Sequence, residues 1–465
     1  MSATVSTCTL LQLDAGQWQA IAHRLRLLAD SAEHSALLSV TLDLGTAVPA
    51  AAAVHDWLDR EPQTSDLCYW AQPRREEYRL GLGRAVLCTS AGPARFTALQ
   101  ASFNGIRQQW LHDAGDTDFE PRACLGFAFD DESADVLPNA QLGVPSVVLE
   151  KIGERLRASF TTPAREMDSA VGRWQSLFAA EGASLGSAAV GRLPDSTLAR
   201  RAWRARVEAA LRTIAEGEID KLVLSRTLRL SLPGRMLCGA LLRRLLHHHG
   251  ESTIYAIGTS RGFFCGATPE RLVALRNDEV HTDALAGTAW AGTSLAVEKN
   301  FREQRLVVES IRRALAPLCS TINVPETPEV MRLRDLQHLH TPIVGRTHPG
   351  VGLFDLLSRL HPTPAVGGWP RRAACDWLRR HDEQRPGWYA GGFGWIDRSG
   401  NGEVAVALRC GLLAAGCMEL SAGAGIVTGS NADAEYEETD IKLQTMLAAL
   451  RDEGEGGMLQ TGTAG

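Results

Sequence analysis

Three carboxylates in the second half of the chain have the types and spacing to do chemistry: Glu303, and Glu435 with Glu438. The last two stand three residues apart in NADAEYEETDIKLQTMLAAL, so on a helix they share a face. Two acidic helices brought together can share a cation, and oxygen ligands without His or Cys suit a hard ion such as Mg²⁺. The plainer reading is a solvated face on each helix, with Glu438 and Lys442 an ordinary ion pair four residues apart. Lys221 opens KLVLSRTLRL on the strand face of Val223, Ser225 and Thr227, opposite Leu222, Leu224, Leu228 and Leu230; taken alone it is a solvent-facing lysine. Arg409 lies among apolar neighbours in EVAVALRCGLL, where a charge needs a partner. GGFGW and SAGAGIVTGS are rich in glycine but lack the strand, G-x-G-x-x-G and helix of a dinucleotide site. His247, His248 and His249 precede Gly250 at a helix end, where imidazoles suit the dipole.

The elements that must position these groups read as mixed strands and helices. In the first half TLLQL, LLSVTLDL and RLGLGRAVL alternate or run apolar as strands do, and AAAVHDWLD and FTALQASFNGIRQQWLHDA have helical spacing. The second half opens with a helix whose Trp203, Val207, Ala210, Leu211 and Ile214 recur at three-to-four spacing and which stops at Gly217. A meander of short strands follows, from KLVLSRTLRL through TIYAIG, GFFCGAT and RLVALR to VHTDALAG. The long helix VEKNFREQRLVVESIRRALAPL comes next, its apolar stripe made by Val297, Phe301, Leu306, Val307, Ile311 and Leu315. EVAVALRCGLL and MELSAGAGIV read as a hairpin, and the last helix takes Asn431 or Asp433 as its N-cap. The class is α+β, sheet-rich runs bracketed by helices. Two stretches read as boundaries: AAEGASLGSAAVGRLPDS, ending near Ser196, and the tail after Asp452. They divide an N-terminal α+β portion, 1–195, from a portion 196–452 that holds the chemistry-bearing residues, with a flexible tail 453–465.

A chain of 465 residues, 45% hydrophobic, can bury a large core. Its net charge of −6 and the absence of a Lys/Arg-rich block speak against a nucleic-acid or anionic-lipid partner. No stretch has the run of about 18 apolar residues that a membrane helix needs, and the N-terminus has no basic, apolar leader, so a cytoplasmic protein is expected. Ten scattered cysteines without C-x-x-C read as small buried hydrophobes.

From about residue 200 to 450 the segments KLVLSR, GATPERL, ALAGTA, EKNFREQRLVV, LQHLHTPI, LHPTPAVGGWP, GWIDRSGNGE, ALRC, AGAGIV and EYEETDIKL occur in the order typical of one family. The chain resembles the chorismate-utilising enzymes, among them the isochorismate, salicylate, anthranilate and aminodeoxychorismate synthases. The resemblance implies their fold: two large antiparallel β-sheets packed face to face with helices outside. It gives Lys221 the part of general base on water and Glu270, in GATPE, that of general acid toward the departing C4 hydroxyl of chorismate. Glu303 and Glu438 match Mg²⁺ ligands, and Glu435 a further ligand, directly or through water. Gly287 and Thr288 match residues lining the C4 hydroxyl and the water, and His338 one beside the ring. Tyr389 and Arg409 match the pair on the enolpyruvyl carboxylate; Gly423, Ala424 and Gly425 would offer backbone N–H groups to a carboxylate, with Lys442 adding charge.

Such chemistry needs Lys221 neutral and Glu270 protonated, and desolvation moves both that way. A lysine at 221, where ammonia-using members carry glutamine, points to water as nucleophile. Ala286 in place of a nucleophilic lysine, and the lack of a Gly-flanked Cys segment, point away from amine chemistry and from an amidotransferase partner. LHPTPAVGGWP resembles the isochorismate-forming version of its loop, which favours isochorismate as product over salicylate; a non-catalytic chorismate-binding relative is the other alternative. Two departures stand out: only AWAGTSLAV separates LAGT from EKN, and Asn300 stands where an acidic residue near the metal is common.

Overall fold

In the computed structural model the described residues are 8–46, 51–60, 66–115, 117–132, 136–180, 196–232, 238–290, 294–295, 297–334, 336–383 and 385–451. The stretch 181–195 and the tail from 452, read as boundaries, lie outside them, as does part of AWAGTSLAV.

Two large sheets carry the fold. One has twelve strands, with Lys221–Ser231 between the short Gly368–Trp369 and the long Cys417–Val427; the other has ten, centred on Glu279–Trp290, Arg271–Arg276 and Gly402–Val406. The pairing is antiparallel except where Leu37–Asp43 meets Trp110–Asp113. The sheets face each other across a core that includes Trp70, Tyr255 and Phe264 from the first and Phe127 and Phe393 from the second; the Tyr255 and Phe393 rings lie 5.7 Å apart. Helices cover the outer faces, such as Cys238–His248 on the twelve-stranded sheet and Glu298–Leu315 on the ten-stranded one. Both sheets run on from one half of the chain into the other: Thr253–Thr259 pairs with Leu67–Gln72, and Gly392–Asp397 with Arg122–Phe127.

Two expected strands are each a pair. RLGLGRAVL divides at Gly83, with φ of +61°, into Glu77–Leu82 in the twelve-stranded sheet and Val86–Ser90 in the ten-stranded one. EVAVALRCGLL divides at Ala407–Arg409 into Gly402–Val406 and Cys410–Ala414, again one in each sheet; only the second forms the expected hairpin with Cys417–Val427. Arg409 is therefore not in mid-strand but at the bend between sheets, with φ of +50°. The meander crosses in the same way, Gly262–Thr268 and Arg271–Arg276 belonging to different sheets, with Glu270 at the passage. Of TLLQL only Thr9 is strand, at the end of Cys8–Thr9, although Leu10 and Leu11 are buried, and QQWLHDA ends its helix at Gln108 and continues as the strand Trp110–Asp113.

The long helix also sits differently from its apolar stripe. Val297 and Phe301 are exposed, and Asn300 and Gln304 are buried in their place with Val307, Ile311 and Leu315. The polar pair can be buried because it is bonded: Gln304 Nε2 donates to Ala284 O and Thr341 Oγ1, and Asn300 Nδ2 to Leu295 O. This rotation turns the Glu303 edge of the helix toward the twelve-stranded sheet, where Glu303 reaches Lys221.

Candidate active site

The two passages between sheets lie side by side. Val406 N–H donates to Glu270 O at 3.0 Å, and Ala267 N–H to Arg409 O at 3.1 Å. Strands that diverge toward different sheets leave a gap, and a small cavity opens there. Glu270, Thr288, Glu303, His338, Tyr389, Arg409, Gly423, Gly425, Glu438 and Lys442 all line it.

Glu270 is buried, and burial, reinforced by Asp283 against the pull of Lys221, pushes its carboxyl up to about 8. It is thus an acid that keeps its proton at neutral pH. His338 is pushed well down, by burial first and then by Arg409 and Lys442, and stays neutral. Its Nδ1 lies 3.1 Å from Thr288 Oγ1, while Nε2 has no partner among the described residues. Tyr389 keeps its phenolic proton, burial raising it. Gly287 takes a φ of +69° at a bulge opposite Leu336–Thr347, and a side chain there would meet the Asn300 carbonyl at 2.9 Å.

Lys221 is fully buried on a strand flanked by Gly368–Trp369 and Cys417–Val427, with Glu303 of the long helix against its ammonium. It does not line the cavity itself; its ammonium stands behind Glu303, with Nζ 2.7 Å from Oε1, and an amine expected to be neutral is found in an ion pair. Burial raises the Glu303 carboxyl, but Lys221 and then Lys299 and Lys442 outweigh it and hold it below its usual range.

The glycine strand alternates. Val223, opposite Gly425, directs its N–H to Gly367 O and receives Arg385 Nη2 on its carbonyl, both away from Cys417–Val427. Gly425, and Gly423 two residues back, must therefore turn their own amides away from the lysine strand, toward the cavity edge left when Cys410–Ala414 stops pairing at Ser421. Ala424 pairs with Leu224 and packs in the core instead. At Gly425 a Cβ would lie 2.6 Å from Glu303 Oε1 and 2.9 Å from Lys221 Cε. Gly425→Ala should accordingly lower kcat/KM about 10²-fold, the scale of an ångström's displacement of a catalytic group, with a near-native circular dichroism spectrum. Activity within threefold of the parent would show that this pair tolerates displacement.

Each acidic side chain read as a metal ligand holds an ammonium: Glu303 holds Lys221, Glu435 holds Lys299 at 2.5 Å, and Glu438 holds Lys442 at 2.6 Å. Among the described residues no three of His, Cys, Asp and Glu converge closely enough to hold an ion as they stand. The donor set still fits a hard cation: the oxygens are carboxylate, and Glu435, pushed up by burial first and then by the charge of Glu438, has a like-charged neighbour. Glu435 lies behind the cavity wall rather than on it. Sequence reasoning did not single out Lys299 or Asp283; the one cue was a lysine in the first turn of a helix, where a positive charge is unfavourable, whereas Ala365 and Val366 of the lining belong to the loop LHPTPAVGGWP.

A family model described as "Chorismate binding enzyme" matches residues 22–451. The chain belongs to this family. Among other chorismate-binding enzymes, the salicylate biosynthesis isochorismate synthase of Pseudomonas aeruginosa is 34% identical over 426 residues, 85% of this chain and 86% of its own. The isochorismate synthase MenF of Bacillus subtilis is 39% identical over 262 residues, covering 54% of this chain and 56% of its own. The solved menaquinone-specific isochorismate synthase of Escherichia coli superposes with a TM-score of 0.76 at 26% identity, over 93% of this chain and 99% of that one. Anthranilate synthase component I of Streptococcus pneumoniae, at 21% identity and a TM-score of 0.67, shares the fold.

Proposed function

We propose that this chain is an isochorismate synthase, converting chorismate to isochorismate by adding water at C2 and expelling the C4 hydroxyl. The observation that carries the reading is a buried carboxyl, Glu270, kept protonated in the same cavity whose wall a buried lysine backs. Glu270 gives its proton to the leaving hydroxyl, and Lys221 takes one from the attacking water. The lysine can do so only as the neutral amine, so the proton it donates to Glu303 must first be lost to solvent. Tyr389 and Arg409 hold the enolpyruvyl carboxylate, and the Gly423 and Gly425 amides with Lys442 hold the other. Thr288 and neutral His338 border the ring, Gly287 giving the strand the close approach that places Thr288.

Arg409 and Lys442 line this cavity and bring positive charge to a dianionic substrate. Glu303, Glu438 and Glu435 would hold Mg²⁺, which when bound adds positive charge against the ring carboxylate. Residues 196–452 supply all of these groups, and 1–195 complete the two sheets. Water as nucleophile requires no amidotransferase. No described helix is long and apolar enough to cross a membrane, and the proposed place of action is the cytoplasm.

Purified chain incubated with chorismate and Mg²⁺ should yield isochorismate, an isomer of equal mass resolved from chorismate by chromatography and identified by its NMR spectrum, with no salicylate fluorescence. Salicylate formed without an added lyase would make the chain a salicylate synthase instead. Binding of chorismate without turnover would make it a non-catalytic relative.

A further inference from the structure

We infer that Lys299 is a built-in counter-cation of the metal site, which a divalent ion must displace from Glu435 in order to bind. This rests on the reading that Glu303, Glu435 and Glu438 hold an ion.

Lys299 lies in the first turn of Glu298–Leu315, where the helix dipole disfavours an ammonium, so its placement needs another cause. That cause is Glu435, whose carboxylate is 3% exposed and accepts from Nζ at 2.5 Å. Burial works against the charge on Lys299, and Glu435, followed by Glu303 and Glu438, outweighs it, so one ammonium sits in the field of all three carboxylates. A cation bound to Glu435 would contend with this ammonium for the same carboxylate.

The other two lysines are held more firmly. Lys221 is wholly buried, and Lys442 Nζ donates both to Glu438 and to Gly423 O. Lys299 has Glu435 as its hydrogen-bond acceptor among the described residues, and 32% of its side chain is already open to solvent. Its four-carbon stem can swing outward without opening the core, trading one partly buried ion pair for water. A divalent ion then enters a cluster that has lost one positive charge and gains two. The lysine would thus keep the carboxylates from repelling one another in the absence of metal, and it would lower the intrinsic affinity of the site.

The test is direct metal binding in the absence of chorismate. Mg²⁺ is titrated calorimetrically into the parent chain, Lys299→Gln and Lys299→Arg, with Mn²⁺ counted by electron paramagnetic resonance as a second probe. Lys299→Gln should bind about tenfold more tightly, the ratio that 1.4 kcal/mol makes, and Lys299→Arg should stay near the parent. Equal or weaker binding by Lys299→Gln while the parent binds overturns the counter-cation role and leaves the metal site standing. Arg behaving like Gln overturns it too, since charge would not be the determinant. If neither ion is taken up by any of the three, the metal reading fails and this inference with it.

Discussion

Lys221→Gln should abolish turnover, by roughly 10²–10⁴-fold in kcat, the usual contribution of a positioned base. The side chain is fully buried and its neighbours are fixed: Glu303 accepts from Nζ, Gly425 leaves room for the ammonium, and the strand is pinned through Val223 by Gly367 and Arg385. Glutamine is close in length and its amide can still donate to Glu303, so the variant keeps the hydrogen bond and loses only the group that can take a proton. Chorismate affinity should therefore survive within a few-fold, because the carboxylate-holding residues Tyr389, Arg409 and Lys442 are untouched. Stopped turnover with retained binding, measured by product formation and calorimetry on one preparation, separates a lost base from a collapsed pocket. Comparable kcat in the variant would remove Lys221 from the mechanism. Melting should fall modestly, since replacing the charged partner of a buried carboxylate leaves a weaker pair.

Much of this site could be read from the residues, and the parts that could not share a cause. The strand periodicity of KLVLSRTLRL separates Lys221 and Val223 from Leu222 and Leu224, and the structure keeps that division, with Val223 on the cavity and the leucines in the core. The last helix begins at Asn431, whose Oδ1 accepts from the amides of Asp433 and Ala434, as the N-cap pattern implies. What the sequence conceals is where a strand leaves one sheet for the other. In EVAVALRCGLL the residues on both sides of the break are buried, so the apolar pattern continues through it; in RLGLGRAVL the second strand is only half-buried, but Val86 and Leu87 still prolong the apolar run. The crossings place Glu270 and Arg409 together, which is why their roles came from resemblance rather than from spacing. On the long helix, Asn300 and Gln304 were invisible as core because their burial depends on partners at Leu295, Ala284 and Thr341, contacts that no local pattern records.

Glu270→Gln should combine loss of activity with a gain in stability. As general acid, Glu270 must deliver a proton, and an amide cannot, so kcat should fall by roughly 10²–10⁴-fold at every pH. In the parent the free-enzyme profile, kcat/KM against pH, should be lost on the alkaline side as pH rises through about 8, where the carboxyl ionises. Stability follows the same proton. The folded value lies above the unfolded one of about 4.5, so the native state binds the proton more tightly, and this carboxyl's contribution is fully present below that unfolded value. It declines as pH rises and is lost by about 8, each unit of the gap being worth about 1.4 kcal/mol. Glutamine has the shape of the protonated acid and nothing to ionise, so it escapes the decline. The variant should therefore melt higher than the parent at neutral and alkaline pH, the difference narrowing as pH falls below about 4, where both side chains become neutral in folded and unfolded chains alike. Thermal unfolding across that range reads the effect without substrate. A parent whose melting advantage over Glu270→Gln grew with pH would mean that the carboxyl is ionised in the folded protein, and the acid would have to be sought elsewhere along the cavity.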